Sequence, residues 1–251
     1  ELAAVNRAMR IGRMPILTAR LLRALDRAEL IGSALEIVGT NALFVYERLA
    51  GVRFESGLLA TGDVDLLFDS RSNLKLAASD GRSSGLLKIL QTVDRSFRAA
   101  GNSSFRAANR DGFLVDLIMP QGSDPMHPAA RRAIGEEDDL VAVEIEGLQW
   151  LVNSPKVEAI VLDQRGYPLR CISPDPRSFA LHKLWLAARE DRDPLKRIRD
   201  REQAMLVADM IASNLPHLKF DDPALGAVPR ALREQVPLLT VGRSDRLEPD
   251  W

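Results

Sequence analysis

The sequence predicts an α+β fold: a small mixed β-sheet flanked by helices, followed by a C-terminal helical domain. Three observations predict it. Between residues 31 and 173, short apolar strand patterns alternate with helical ones. Within that region Ser103–Ala108 and Phe113–Ile118 flank Asn109-Arg110-Asp111-Gly112, whose Asp-Gly pair signals a hairpin turn. After Ser173-Pro174-Asp175-Pro176 no β pattern returns.

In chain order, residues 1–29 read as a helix, with Leu17, Leu21, Leu22 and Leu25 at helical spacing. Leu35-Glu36-Ile37-Val38 is a short strand running into Gly39-Thr40-Asn41. A helix over about 41–50 stops near Gly51. Residues 64–68 alternate as a core strand, and 71–82 are polar loop. Residues 84–99 form a helix through Leu86, Leu87, Leu90 and Val93; the hairpin follows and Pro120 ends its second strand. Residues 121–139 are a polar loop with an acidic run from Glu136 to Asp139. Short strands fill 140–172, turning at Glu146-Gly147 and Arg165-Gly166. Helices over 177–190, 194–214 and 224–235 are broken by Pro194, Pro216 and Pro237. The expected division is an N-terminal helix (1–30), an α/β domain (31–173) and a helical domain (174–251).

Composition narrows the function classes. Of 251 residues, 46% are hydrophobic and 27% charged, enough apolar material for a sizeable core. The formal net charge of −1 excludes a global basic excess as a nucleic-acid signal. Cys171 is the single cysteine, so no intramolecular disulfide forms, and it reads as a core residue. No apolar run is long enough for a membrane span. The chain begins Glu-Leu-Ala-Ala, without a signal-peptide layout or an initiator Met. It is therefore expected to be trimmed and cytoplasmic. His127, His182 and His217 have no i,i+4 spacing, which leaves histidine zinc motifs unsupported. Scattered Trp and Tyr residues give no stacking stripe for single-stranded RNA.

The chemistry concentrates in Thr61-Gly62-Asp63-Val64-Asp65-Leu66-Leu67. On a strand, residues i and i+2 share a face, so Asp63 and Asp65 project together while Val64 and Leu66 pack behind. Two adjacent carboxylates repel, and a divalent cation relieves that cost. An Asp-x-Asp alone is a weak signal, since a strand end with two solvated acids has the same pattern. Two further features strengthen it. Gly39-Thr40-Asn41 joins a strand to a helix, where free amides and the helix dipole suit phosphate. Asp116 interrupts the apolar strand Phe113–Ile118, and an unpaired carboxylate there is costly to bury. If that strand pairs beside 64–68, three acids meet.

Together Gly39-Thr40, Asp63-x-Asp65 and Asp116 resemble the polymerase-β-type nucleotidyltransferase superfamily. Gly39-Thr40-Asn41-Ala42-Leu43 is similar to the Gly-Gly-Thr-Ala-Leu element of abortive-infection-type nucleotidyltransferase toxins. Pro176 to Trp185, with His182 and Lys183, and Arg192 to Gln203, with Lys196, Arg199 and Asp200, resemble a bacterial family of nucleotidyltransferase-fold proteins. The resemblance spans about residues 31–210. It departs from the compact pattern in having Thr40 where Ser is usual, and in the long gap between Gly39 and Asp63, which the abortive-infection group tolerates.

The resemblance implies transfer of a nucleoside monophosphate from an NTP, ATP included, to RNA (tRNA among the candidates) or protein, with pyrophosphate leaving. It implies two Mg2+ or Mn2+ ions held by Asp63, Asp65 and Asp116, with Asp116 nearest the acceptor. Gly39, Thr40 and Asn41 would cradle phosphate, and Lys183 would face the triphosphate, with Arg199 and Asp200 as a supporting network. A toxin-like role would bring an antitoxin or homo-oligomeric partner and no membrane. The alternative is a non-catalytic nucleotide- or partner-binding module on the same fold.

Overall fold

The computed structural model describes residues 1–72, 85–100, 103–122, 139–239 and 248–249. The polar loops expected over 71–82 and 121–139 lie largely outside these residues, as does His127.

The N-terminal region is two helices rather than one: α1 (Leu2–Ala8) and α2 (Ile16–Arg27). The break has a local cause. Pro15 disfavours helix at Met14 and sits extended as the N-cap of α2. The freed backbone bonds to a distant segment, Arg13 N–H and Met14 N–H donating to the Leu162 carbonyl. Met14 is thereby fixed in the core.

Next come β1 (Leu35–Val38), a 3-10 turn at Gly39–Asn41 and α3 (Ala42–Ala50). After them β2 (Val52–Arg53), which pairs with Glu248–Pro249, and the single turn α4 (Ser56–Leu59) lead to β3 (Asp63–Phe68). Helix α5 is shorter than expected, Leu86–Val93. It stops because the Asp94 carboxylate accepts from the Ser96 N–H and hydroxyl, an Asx turn that competes with helical bonding. The residues beyond form β4 (Arg98–Ala100) on the sheet edge.

The expected hairpin is present as β5 (Ser103–Ala108) and β6 (Leu114–Pro120). After β7 (Val143–Ile145), residues 148–152 form a short helix, α6 (Leu148–Val152), where a strand was expected. A five-residue stretch with four apolar residues fits either period, and the left-handed turn at Gly147 settles it by turning Leu148 and Leu151 onto the sheet. β8 (Lys156–Leu162) and β9 (Pro168–Pro174) form a separate antiparallel hairpin. Helices α7 (Pro176–Ala188) and α8 (Pro194–Asn214) follow, each N-capped by an aspartate, Asp175 and Asp193. The helix expected over 224–235 is a 3-10 turn and the single turn α9 (Arg230–Arg233), interrupted at Pro229. Among the described residues, no helix is long and apolar enough to cross a membrane.

The main sheet runs β1-β3-β6-β5-β4 and is mixed: β3 and β6 are parallel, while β1–β3, β6–β5 and β5–β4 are antiparallel. β7 adds to the far end of β6 in parallel. The strands' alternation sorts side chains between two clusters. Val64, Leu66 and Phe68 enter the large core with α2, α3, α7 and α8. Leu67, Val38 and Ile118 form a smaller one with Leu148, Leu151 and Val152 of α6. Asp63, Asp65 and Asp116 share this second face.

Candidate active site

Parallel pairing of β3 with β6 sets Asp65 directly opposite Asp116 and Asp63 opposite Leu114. Adjacent strands lie about 4.8 Å apart, so the acids of the two strands are near neighbours. All three line one cavity of about 440 Å³. Its apolar wall includes Val143, Leu148 and Phe179; its charged wall comes from α7 and α8.

Each carboxylate has a different environment. Asp63 accepts a short hydrogen bond from the Thr61 hydroxyl. Asp116 is buried, and both its oxygens are taken by Arg106, whose Nε and Nη2 each lie 2.6 Å away. Asp65 carries the strain of the group. Burial and the neighbouring Asp63 push its carboxyl up to about 6, against the opposing pull of Lys183.

Gly39 meets these acids at close range. Its φ is +62°, and a Cβ built on it would fall 2.1 Å from Asp65 Oδ2. Only glycine permits this backbone to lie against the carboxylate. Thr40 lines the cavity, whereas Asn41 is buried beside it, its side-chain amide donating to the Asp63 carbonyl. Neither N-cap residue, Val38 before the 3-10 turn or Asn41 before α3, caps its helix start with its side chain. That is the condition for an anion at a helix start.

From the other side, α7 and α8 cross so that Lys183 Nζ donates to Asp200 Oδ1 at 2.7 Å, both groups being buried. Arg192 holds Asp200's other oxygen, 2.8 Å from its Nη2. Arg199 is not part of this trio; its guanidinium donates to the carbonyls of Leu58 and Ala60.

A protein-family model described as nucleotidyltransferase matches residues 17–229. The chain belongs to this nucleotidyltransferase family. No curated protein and no solved structure matches it significantly.

The nucleotidyltransferase has site neighbours that the sequence reading passed over. Arg106 and Arg192 both line the cavity, as does Gln203. Gln203, fully buried on α8, donates to the Leu58 carbonyl at 3.0 Å and to the Thr40 hydroxyl at 3.3 Å. Arg106 could have been found by counting outward from the hairpin turn: Ala108 pairs Leu114, so Arg106 pairs Asp116. Gln203 has no such signal, because its neighbours are set by helix packing. His182 also lines the cavity, against Trp150 and Trp185. Burial and the adjacent Lys183 push its imidazole down to about 3, so it is neutral.

The donor chemistry suits a divalent cation at Asp63 and Asp65: two half-buried carboxylates share a face, and burial and their proximity raise the Asp65 carboxyl despite Lys183. Asp116 is committed to Arg106 instead. Among the described residues, no three acidic, imidazole or thiol groups already converge as a metal cluster.

Proposed function

We propose that this family member is an NTP-dependent nucleotidyltransferase that moves a nucleoside monophosphate to an RNA or protein acceptor and releases pyrophosphate. The observation that carries the reading is the juxtaposition of Asp63 and Asp65 with Asp116 on adjacent parallel strands, in one cavity with Gly39 and Lys183.

In this reading Asp63 and Asp65 hold Mg2+ or Mn2+, and Asp116 joins them when free of Arg106. A divalent cation there supplies charge neutralisation for the transferring phosphoryl group and for the acceptor oxygen. The chain's own groups position the substrate. The uncapped amides after Gly39 and the positive end of α3 receive phosphate oxygens. Lys183, fixed by Asp200, adds a cation on the opposite wall. Arg199 ties α8 to the segment before Asp63, which keeps the two walls in register. The likeness of Gly39–Leu43 to abortive-infection toxins supports a toxin-like enzyme.

The test is incubation with each α-labelled NTP, Mg2+ or Mn2+, and cell extract. Label should enter RNA or protein with release of pyrophosphate. Asp63→Asn and Asp65→Asn should each lower that release about 100-fold or more, the scale on which lost transition-state charge stabilisation is felt. Unchanged turnover in both variants would sink the proposal.

A further inference from the structure

Arg106 is placed to do more than stabilise a hairpin. Its guanidinium meets Asp116 with two parallel N–H···O contacts of 2.6 Å, the strongest geometry available to such a pair. It lies on the cavity wall, and its side chain is 37% exposed while that of Asp116 is 10% exposed. The arginine therefore has room to leave, whereas the carboxylate stays where it is.

Neighbouring acids have no such clamp. Asp63 has a neutral hydroxyl, and Lys183 and Arg192 are both spent on Asp200 rather than on the strand acids. One acid of the three is thus engaged by a guanidinium, and it is the one contributed by the second strand. A carboxylate with both oxygens in a guanidinium fork has half its lone-pair sites engaged and a positive charge beside it, which makes it a poorer ligand for a small cation.

We propose that Arg106 is a built-in competitor for the divalent cation: it holds Asp116 out of the metal set, and the three-acid site forms only when the guanidinium swings away. The inference rests on the reading of Asp63 and Asp65 as metal-binding groups. It makes Arg106 a positioning residue that weakens metal binding by the resting enzyme. The device is electrostatically economical, because the acids are never all uncompensated at once.

Mn2+ binding without nucleotide, followed by electron paramagnetic resonance, tests it. Arg106→Gln should bind Mn2+ at least tenfold more tightly than wild type. Removing a positive charge anywhere in the cavity would help a cation somewhat, so two further variants separate the causes. Arg192→Gln removes the same charge but leaves the clamp, and should gain less than threefold. Arg106→Lys keeps the charge but loses the fork, and should gain at least threefold, provided that circular dichroism shows it folded. Adding Asp116→Asn to Arg106→Gln should abolish the gain. Equal affinity in wild type and Arg106→Gln, or equal gains from Arg106→Gln and Arg192→Gln, would overturn the proposal. If Asp65→Asn abolishes Mn2+ binding while Arg106→Gln changes nothing, only the competitor role fails. If Asp65→Asn leaves Mn2+ binding intact, the metal assignment itself fails, and this inference with it.

Discussion

Gly39 shows how tightly single residues are constrained at the cavity. A left-handed backbone costs a non-glycine residue about 1–2 kcal/mol, and here the added methyl would also collide with the Asp65 carboxylate. Gly39→Ala should therefore lower the melting temperature by roughly 4 °C or more, at about 2–4 °C per kcal/mol for a chain of this size. Differential scanning calorimetry checks it; an unchanged melting temperature would mean that the turn relaxes freely. Asp65 should behave in the opposite way. Its carboxyl is pushed up to about 6 by burial and Asp63, so the ionised form is disfavoured in the native state relative to the unfolded chain. At neutral pH, Asp65→Asn removes that cost and should raise stability by about 1–2 kcal/mol, even as the proposed nucleotidyl transfer falls. A fall in melting temperature would show that the carboxylate is already compensated. The period-two spacing of the acids was legible because strand geometry is local. The union of Lys183 with Asp200 was not, since it depends on how two helices cross.

Elements end where local polar groups compete with their periodic bonding. The expected helix over 84–99 rested on apolar spacing, which continues past Val93, yet Asp94 and Ser96 bend the chain away. The long N-terminal helix failed for a related reason: the leucine pattern is continuous only from Ile16, beyond Pro15. Strands at the site were read more accurately, because a strong turn pinned the hairpin and alternation pinned β3. Helix α5 also illustrates a cap that no local sequence reading would find. Gly85 offers no side chain, and Asp139, distant in sequence, accepts from the N–H groups of Leu86 at 2.6 Å and Leu87 at 2.8 Å. Space at this junction is tight, as a Cβ on Gly85 would meet the Asp139 carboxylate at 2.8 Å. Replacing an N-cap carboxylate by alanine costs about 0.5–2 kcal/mol, and a buried site belongs at the upper end. Asp139→Ala should thus reduce the urea midpoint with little change in the slope of unfolding. A wild-type midpoint would remove Asp139 from the account of α5.

The main sheet meets the separate hairpin of β8 and β9 through β1, and one group at this junction titrates near neutrality. Glu36 on β1 accepts from Lys156 on β8 at 2.7 Å, and the same ammonium donates to the carbonyls of Leu151 and Val152 at the end of α6. One lysine therefore ties the sheet, the second hairpin and the helix under the apolar wall of the cavity. Burial dominates the energetics of this carboxyl and pushes it up to about 7, with Lys156 pulling the other way. The unfolded chain releases the Glu36 proton near the ordinary carboxyl value of 4.5, whereas the native state keeps it until about pH 7. Between those values the native state binds more protons than the unfolded one, so stability falls as pH rises. Aspartates whose carboxyls are held low, such as Asp69 beside Arg71, work in the opposite sense but below this window. Comparing wild type with Glu36→Gln isolates the one group, since Asp65 contributes equally to both. Urea unfolding from about pH 5 to pH 8 should show wild type losing on the order of 1–3 kcal/mol relative to the variant. The difference should then level off once Glu36 is fully ionised. Parallel profiles for the two proteins would mean that Lys156 fully compensates the buried charge, and that the junction between the two sheets is indifferent to pH.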